Sequence, residues 1–427
     1  MNHFAKFYRK SRKERLSLLT EKDFISEKTK ELFENNTLLD EAVANSLIEN
    51  QLTQFPLPMG VALNFIVDGK EVVVPMVVEE PSVIAACSNG AKFMNPAGFT
   101  TTIQERGLIG QLIIEGLTDL PAAKKIIDQH QSELIAQAAL SHPSIVKRGG
   151  GVTTVESRIV NNELGQPEFL TIHLIVDVKD AMGANIVNTI LEGCRPLVEK
   201  WLGGSCLMSI LSNYNDHSLV TATCAVKTEQ LGTANMDGQV LAERIVAATR
   251  YAHLDPYRAA THNKGIMNGI DSVLIATGND ARAVAAGAHA YASRHGHYAS
   301  MSNWQLDEDG HLIGELTLPM PVGTVGGAIS VLPMAKANQE LLKCQSATDL
   351  ARVVVAVGLA QNFSALKALV SDGIQKGHMN LHAKSLAIHV GATADEIDHL
   401  ADLLRQEPTM NSTIASDLLN QLRSQKS

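Results

Sequence analysis

The apolar positions change period several times along the chain. Residues 1–50 carry helical spacing that ends with Ala42–Asn50, and Phe55–Gly60, rich in proline, breaks it. Val61–Phe65 and Glu71–Val78 alternate as strands around Asp68-Gly69, which predicts a hairpin with an Asp-Gly turn. The second strand runs into Glu79-Glu80-Pro81-Ser82. Val83–Phe93 then has the small-residue character of a packed helix, with Pro81 suited to its first turn. Glu80 therefore stands where a strand gives way to a helix.

From Thr101 the pattern changes. Strands are expected at Thr101–Leu117, Val152–Val160, Phe169–Val178, Cys206–Leu211 and Leu219–Val226, with helices at Pro121–Ser141 and Ala184–Trp201. The order β-α-β-β-α-β is that of a ferredoxin-like split βαβ unit. A helix follows at Gly238–Ala252. Val273–Ala276 reads as a short buried strand ending in a Thr277–Asp280 turn, and another helix runs through Ala283–Ala288. Asn303–Leu318 reads as a hairpin turning at Asp309-Gly310. Ser346–Asp349 is a capping box for a long apolar helix, Leu350–Leu369. Gly373 and Gly377 interrupt that pattern. Beyond them Met379–Val390 reads as helical, with Gly391 as its stop and a new capping box at Thr393–Glu396.

The fold class this implies is α+β. A large mixed domain (1–106 and 218–375) holds an inserted ferredoxin-like nucleotide-binding domain (107–217), and a small helical unit (376–427) is hinged at Gly377 as a lid.

Composition narrows the function. A length of 427 residues, 45% hydrophobic and 19% charged, suits a multidomain globular enzyme. A net charge of −9 and only 4% aromatic residues argue against a nucleic-acid surface. Five scattered cysteines without a CxxC point to a reducing cytoplasm. The basic cluster Lys6, Arg9, Lys10, Arg12 and Lys13 has no apolar core after it, so no signal peptide is expected. No run is expected to reach the roughly 18 apolar residues of a membrane span.

The densest chemistry lies at Asp255–Asp280. Arg258, His262, Asn263, Lys264, Asn268, Asp271, Asn279 and Asp280 crowd around an apolar run. Buried polar groups in such number must satisfy each other or a ligand. The plain reading is a polar loop with a buried Lys–Asp pair. The sharper one is an active site in which a fixed ammonium stabilises an oxyanion. Asp180–Asn185 follows a strand and opens a helix, so Asp180 as its cap and Gly183 could bring an anion to the helix N-terminus; a plain capped helix fits equally. Lys147 and Arg148 precede Gly149–Gly151 and form a second phosphate candidate, or a solvated turn. His378 and His382 have zinc-compatible spacing but lack other ligands, so a proton donor on the lid is preferred to a metal site. His295 and His297 read equally as solvated or structural.

Together these stretches resemble class II hydroxymethylglutaryl-CoA reductases, the soluble bacterial form. The matching segments are EEPSVIAA at 79–86, VKRGGG at 146–151, DAMGAN at 180–185, ILSN at 210–213, DPYRAATHNKGIMNGID at 255–271, ATGND at 276–280, GLAQN at 358–362 and GHMNLHAKSLA at 377–387. The resemblance implies reduction of the HMG-CoA thioester to mevalonate and CoA by two nicotinamide cofactors, or the reverse catabolic reaction. It implies Glu80 as catalytic acid, Lys264 at the alkoxide-like oxygen, Asp280 against both, and His378 protonating the CoA thiolate. It places Ser82 and Arg258 at the substrate carboxylate with Asn268, Asn213 and Gln361 in support. It assigns the cofactor to Asp180, Met182, Gly183 and Asn185, and implies a homodimer with shared active sites and no metal. Two departures stand out. Glu49–Thr53 reads ENQLT where the family has ENVIG, and the region before the glycine turn carries Lys147 and Arg148 but no acid. A carboxylate there would take a ribose 2′-hydroxyl, whereas cations tolerate a 2′-phosphate. The expectation is therefore NADPH in preference to NADH. Another CoA-thioester oxidoreductase or a zinc hydrolase are the competing readings.

Overall fold

A computed structural model describes residues 4–104, 106–371 and 383–424. Helices α1 (Arg12–Glu21), α2 (Glu27–Glu34) and α3 (Glu41–Leu47) precede a hairpin of β1 (Met59–Val67) and β2 (Lys70–Val77). Asp68 and Gly69 turn it, both at positive φ, as the Asp-Gly signal requires. Helix α4 (Val83–Phe93) follows at the expected residues.

β3 (Thr100–Ile103) and β4 (Leu108–Glu115) come next. The single strand expected over Thr101–Leu117 is thus two strands in two different sheets: β3 pairs with β8, whereas β4 pairs with β6 and β7. The helix expected over Pro121–Ser141 is also two, α5 (Leu120–Gln129) and α6 (Gln131–Ser141), which meet at His130. A short α7 (Pro143–Lys147), β5 (Gly151–Asn161), β6 (Pro167–Asp177), α8 (Ala184–Leu202) and β7 (Ser205–Ser212) complete this region. Its antiparallel sheet has the order β5-β6-β4-β7, the arrangement of a ferredoxin-like split βαβ unit. Leu112, Ile114, Leu170, Ile172, Leu174 and Val176 line one face of the sheet, and α5, α6 and α8 cover it to form a separate core.

β8 (Leu219–Lys227) begins the return to the larger body, followed by α9 (Gly238–Leu254), α10 (Pro256–Ala276) and α11 (Ala281–Ala292). β9 (Ser302–Leu306) and β10 (His311–Pro319) close a second antiparallel sheet of order β3-β8-β10-β9. Then come α12 (Pro333–Leu342) and α13 (Ala347–Val370). The strand expected at Val273–Ala276 does not exist. Those residues are the last turn of α10, which runs unbroken from Pro256 with Asp255 as its N-cap. Three of the four are buried, so the run shows no helical period and its sequence cannot separate helix from strand.

Helix α13 is the spine of the large body. Its capping box is formed by Ser346 and Asp349 as expected. Residues 353–364 are buried without a break. It is long and apolar enough to cross a membrane by length and composition, with mean hydropathy 1.7, against the expectation that no run is. Yet 72% of that window is buried inside the protein, so its apolarity serves the core. Neighbouring helices meet it through glycine. A Cβ on Gly90 of α4 would lie 2.1 Å from the Ala360 carbonyl oxygen, and one on Gly269 of α10 would lie 3.1 Å from Val357 and Gln361. Both helices are thereby drawn onto one rod.

At the C-terminal end, residues 383–389 are helical, Ala394–Leu404 and Ser412–Ser424 follow, and the Thr393–Glu396 capping box is present. These helices share their own small core of Leu386, Leu400, Leu404, Leu419 and neighbours. The glycines 373 and 377, His378 and His382 lie outside the described residues.

Candidate active site

Glu80 and Lys264, 184 residues apart in sequence, meet in the structure. Lys264 Nζ donates to Glu80 Oε2 at 2.8 Å. Glu80 is held by the link between β2 and α4, where Ser82 adopts a left-handed φ of 77° at the N-cap position. Lys264 projects from the middle of α10. Both ends are therefore fixed by helices packed on α13. The pair remains open to water, with side-chain exposures of 60% for Lys264 and 40% for Glu80.

The other residues of the expected constellation are arranged around it unevenly. Asn268 lies one helical turn after Lys264 on the same face of α10, and its carbonyl accepts the Ser272 hydroxyl at 2.6 Å. Gln361, on α13, is 5% exposed and packs against Gly269. Its Oε1 is buried without a hydrogen-bond partner. A buried acceptor in that condition is a position a ligand hydroxyl can satisfy. Arg258 sits in the first turn of α10, its backbone N–H capped by Asp255 Oδ2 at 2.7 Å, and its guanidinium makes no bond to the described residues. Asn213 follows β7 and lies against α11, where a Cβ on Gly287 would be 2.5 Å from its carbonyl oxygen.

Asp280 departs from the expectation that it lies against Glu80 and Lys264. It is the N-cap of α11, accepting from Ala283 N–H at 3.1 Å, and its nearest cation is Arg282 at 3.7 Å. A carboxylate satisfies the free amides of a helix start well, and that local partner holds it in this conformation. A second carboxyl stands on α10 instead. Asp271, two turns beyond Lys264, has a buried oxygen without a partner, and burial pushes its pKa up to about 6. The sequence named it within the central stretch, but nothing local told its burial.

The two phosphate candidates come together. Gly149 (φ 79°) follows exposed Lys147 and Arg148, and a Cβ on it would lie 3.8 Å from Lys179 Cε. Gly150 lies against the Asp177 carbonyl. The glycine turn thus abuts the loop that leads into α8. Gly183 (φ 85°) is the N-cap of that helix and offers no side-chain cap. Asn185 is exposed in its first turn. The first amides of a 19-residue helix are left to accept an anion. The expected capping by Asp180 is not found. Asp180 Oδ1 accepts Ala347 N–H at 2.8 Å, at the start of α13, and its carbonyl takes Thr324 N–H at 2.8 Å. Asp180 is turned toward the larger body because its carboxylate satisfies a free amide at the start of α13 and its carbonyl a loop amide. Met182 N–H meets Val325 O at 3.4 Å, and Arg106 donates to the Lys179 and Val322 carbonyls. Nothing in the sequence signalled Arg106, whose partners are all backbone.

An open ammonium–carboxylate pair, a buried unpaired amide oxygen and an uncapped helix start on a split βαβ sheet mark an α+β protein with the parts of an active site. Comparison with known proteins makes that specific. The family model for hydroxymethylglutaryl-coenzyme A reductase matches residues 11–383, so the chain belongs to the hydroxymethylglutaryl-CoA reductase family. It is similar to the 3-hydroxy-3-methylglutaryl-coenzyme A reductase of Archaeoglobus fulgidus, 43% identical over 98% of this chain and 94% of the relative. A solved reductase from Streptococcus pneumoniae superposes with a TM-score of 0.84 at 44% identity, covering 98% and 99% of the two chains. A second structure, the class II enzyme of that organism bound to NADPH in open conformations, gives 0.82 at 45% identity over 97% and 100%. The chain is thus an oxidoreductase of the hydroxymethylglutaryl-CoA reductase type.

Proposed function

We propose that the chain reduces the HMG-CoA thioester to mevalonate and free CoA, with Lys264 and Glu80 as the reacting-centre pair. The observation that carries this is their 2.8 Å contact, held between two helices that share one spine. A reduced nicotinamide, when bound, supplies the hydride. Hydride addition turns the thioester carbonyl into an oxyanion, and the Lys264 ammonium is the fixed cation for it. Glu80, hydrogen-bonded to that ammonium, delivers the proton. Ser82 and Arg258 hold the substrate carboxylate, with Arg258 free to pair. Asn268, Asn213 and the unpaired Gln361 oxygen take its hydroxyl and carbonyl groups. His378, outside the described residues, is the group that protonates the departing thiolate. A thiol pKa of roughly 8.5 makes that transfer downhill from an imidazolium.

The cofactor is NADPH in preference to NADH. The residues fit it: the uncapped start of α8 at Gly183 and Asn185 for the pyrophosphate, Met182 beside it, and Lys147 and Arg148 across the glycine turn for a 2′-phosphate. Asp180 acts on this site through the loop it anchors rather than as a direct contact.

The enzyme works as a homodimer with shared active sites. An ion pair as open as Lys264–Glu80 is screened by water and weak, and a second surface must exclude that water for chemistry. The exposed apolar side chains Leu52 (95%), Phe55 (87%) and Tyr257 (86%) support such a surface. Five unpaired cysteines suit a cytoplasmic location.

The test is the loss of reduced-nicotinamide absorbance on adding HMG-CoA, with NADPH and NADH run in parallel. Two NADPH oxidised per thioester is the expected result, with NADH slower. Replacing Lys147 and Arg148 by glutamate should raise KM for NADPH about tenfold or more and leave that for NADH nearly unchanged. Absence of oxidation by folded protein would reject the reaction, and a faster NADH rate would reject the cofactor reading.

A further inference from the structure

On the inner face of α10, directly behind Lys264, lies a buried polar cluster. His262 is 2% exposed, and its Nε2 lies 2.8 Å from Ser302 Oγ, 2.9 Å from Ser300 Oγ and 3.0 Å from Asn362 Nδ2. Asn263, fully buried, donates to Ala299 O at 2.8 Å and accepts Met301 N–H at 2.9 Å. Trp304 Nε1–H donates to Asn362 Oδ1 at 2.7 Å. An indole N–H can only donate, so it identifies that atom of Asn362 as the oxygen. The amide nitrogen must then face His262, and Nε2 must be a lone-pair acceptor. Ser300 Oγ is already donating to Ser302 O at 2.8 Å. Ser302 Oγ, 2.9 Å from Asn362 Oδ1, can donate to either acceptor. The contacts of Nε2 therefore select a neutral ring with its proton on Nδ1, an atom that is buried without a hydrogen-bond partner among the described residues. A second ring proton would point at an N–H donor. Burial, with Arg258 and His253 nearby, pushes the pKa down to about 3 in the same direction.

The cluster is also a mechanical reference. Asn362 lies between Ala360 and Ser364 of α13. Ala360 is the residue against which Gly90 packs, and Ser364 Oγ donates to Ala86 O of α4 at 2.6 Å. Residues 360–364 thus set α4, which follows Glu80, and α10, which carries Lys264, from one short stretch. Lys Nζ stands roughly 8 Å from its helix axis, so a roll of about 10° in α10 would move it by about 1.4 Å.

We propose that His262 is a positioning residue for Lys264: as a neutral Nε2 acceptor for Asn362 it fixes the rotation of α10 that presents the ammonium to Glu80. This rests on the reading of Lys264 as the oxyanion-stabilising group. A misplacement of about 1 Å at a reacting centre can cost on the order of 10²-fold.

The test compares His262→Leu with His262→Gln, whose Oε1 reaches the Nε2 position as an acceptor, and runs Lys264→Ala alongside. Leucine should lower kcat roughly 10- to 100-fold with KM for NADPH held within about twofold, and glutamine should restore most of the loss. Full kcat in the leucine variant, or glutamine no better than leucine, would overturn the inference. Should the leucine variant fail to fold, Asn362→Asp takes its place. A carboxylate there draws a proton onto Nε2, and unchanged kcat would count against the proposal. On the unaltered enzyme, nitrogen NMR at pH 6–8 should show a neutral imidazole protonated at Nδ1, and an Nε2–H or charged ring would refute it directly. The outcomes separate the two layers. Turnover that persists in Lys264→Ala removes the role of Lys264, whereas an inactive Lys264→Ala beside an unimpaired His262→Leu removes only the role of His262.

Discussion

Helix α10 shows two faces with opposite chemistry two residues apart. His262 is 2% exposed, neutral and locked by neighbours on two other elements. The Lys264 side chain is 60% exposed, and its partner among the described residues is Glu80. Exposed ion pairs contribute about 0–1 kcal/mol, so the outer pair is nearly irrelevant to folding. The inner cluster is the reverse: a loss there leaves buried donors unpaired, at about 1–3 kcal/mol each. Stability resides on one side of the helix and reactivity on the other, and rotation of the helix couples them.

The contrast is broken most severely at Lys264. Lys264→Ala should lower turnover by at least 10²- to 10³-fold, the usual cost of losing an oxyanion donor. Its melting temperature should move by no more than about a degree or two. A large fall in melting temperature with modest rate loss would mean that the outer face is structural.

The next effect is acid lability of the inner face. The folded-state pKa of His262 is about 3, below the 6.5 of an unperturbed imidazole, so the unfolded chain takes up this proton first. The stability gained by keeping the ring neutral is complete above pH 6.5. It drains as pH falls from 6.5 toward 3, by on the order of 5 kcal/mol in total. Denaturant melts at pH 7 and pH 4 should show the wild type losing several kcal/mol more than His262→Gln, which has no such proton. Parallel curves would show that the ring titrates freely.

The smallest effect shows how far water reaches along the face that carries Lys264. Asp271 has a pKa of about 6 against an ordinary 3.8, so ionising it costs the folded state stability. That cost is absent below pH 3.8 and complete above pH 6. Asp271→Asn should therefore stabilise the protein at pH 8 by about 1–2 kcal/mol, the value reduced by partial solvent screening, and leave it unchanged at pH 4. Equal effects at both pH values would show that the carboxyl is solvated in the folded state.

Much of this was legible in the chain. The hairpin around Asp68-Gly69, helix Val83–Phe93 and the capping boxes at Ser346 and Thr393 are local signals, and each is found where it was read. The β-α-β-β-α-β order was also readable, because periodicity switches cleanly between 2 and 3.6 in that region. Readings failed where local pattern carries no information about neighbours, as three of them show. Val273–Ala276 extends a helix already under way. Thr101–Leu117 alternates throughout but changes sheet midway. Asp180 caps the helix across the domain junction instead of its own.

Residue types and their motif spacings by themselves determined the family and the set of polar groups on hand, since side-chain chemistry and short-range hydrogen bonding are written locally. Which of those groups meet was decided by tertiary structure alone. Glu80 finds Lys264 across 184 residues, Asp280 turns to its own helix, and Asn362 selects the tautomer of His262. Each outcome depends on which elements pack against α13, and packing is a long-range balance of buried area and polar satisfaction that no local window contains.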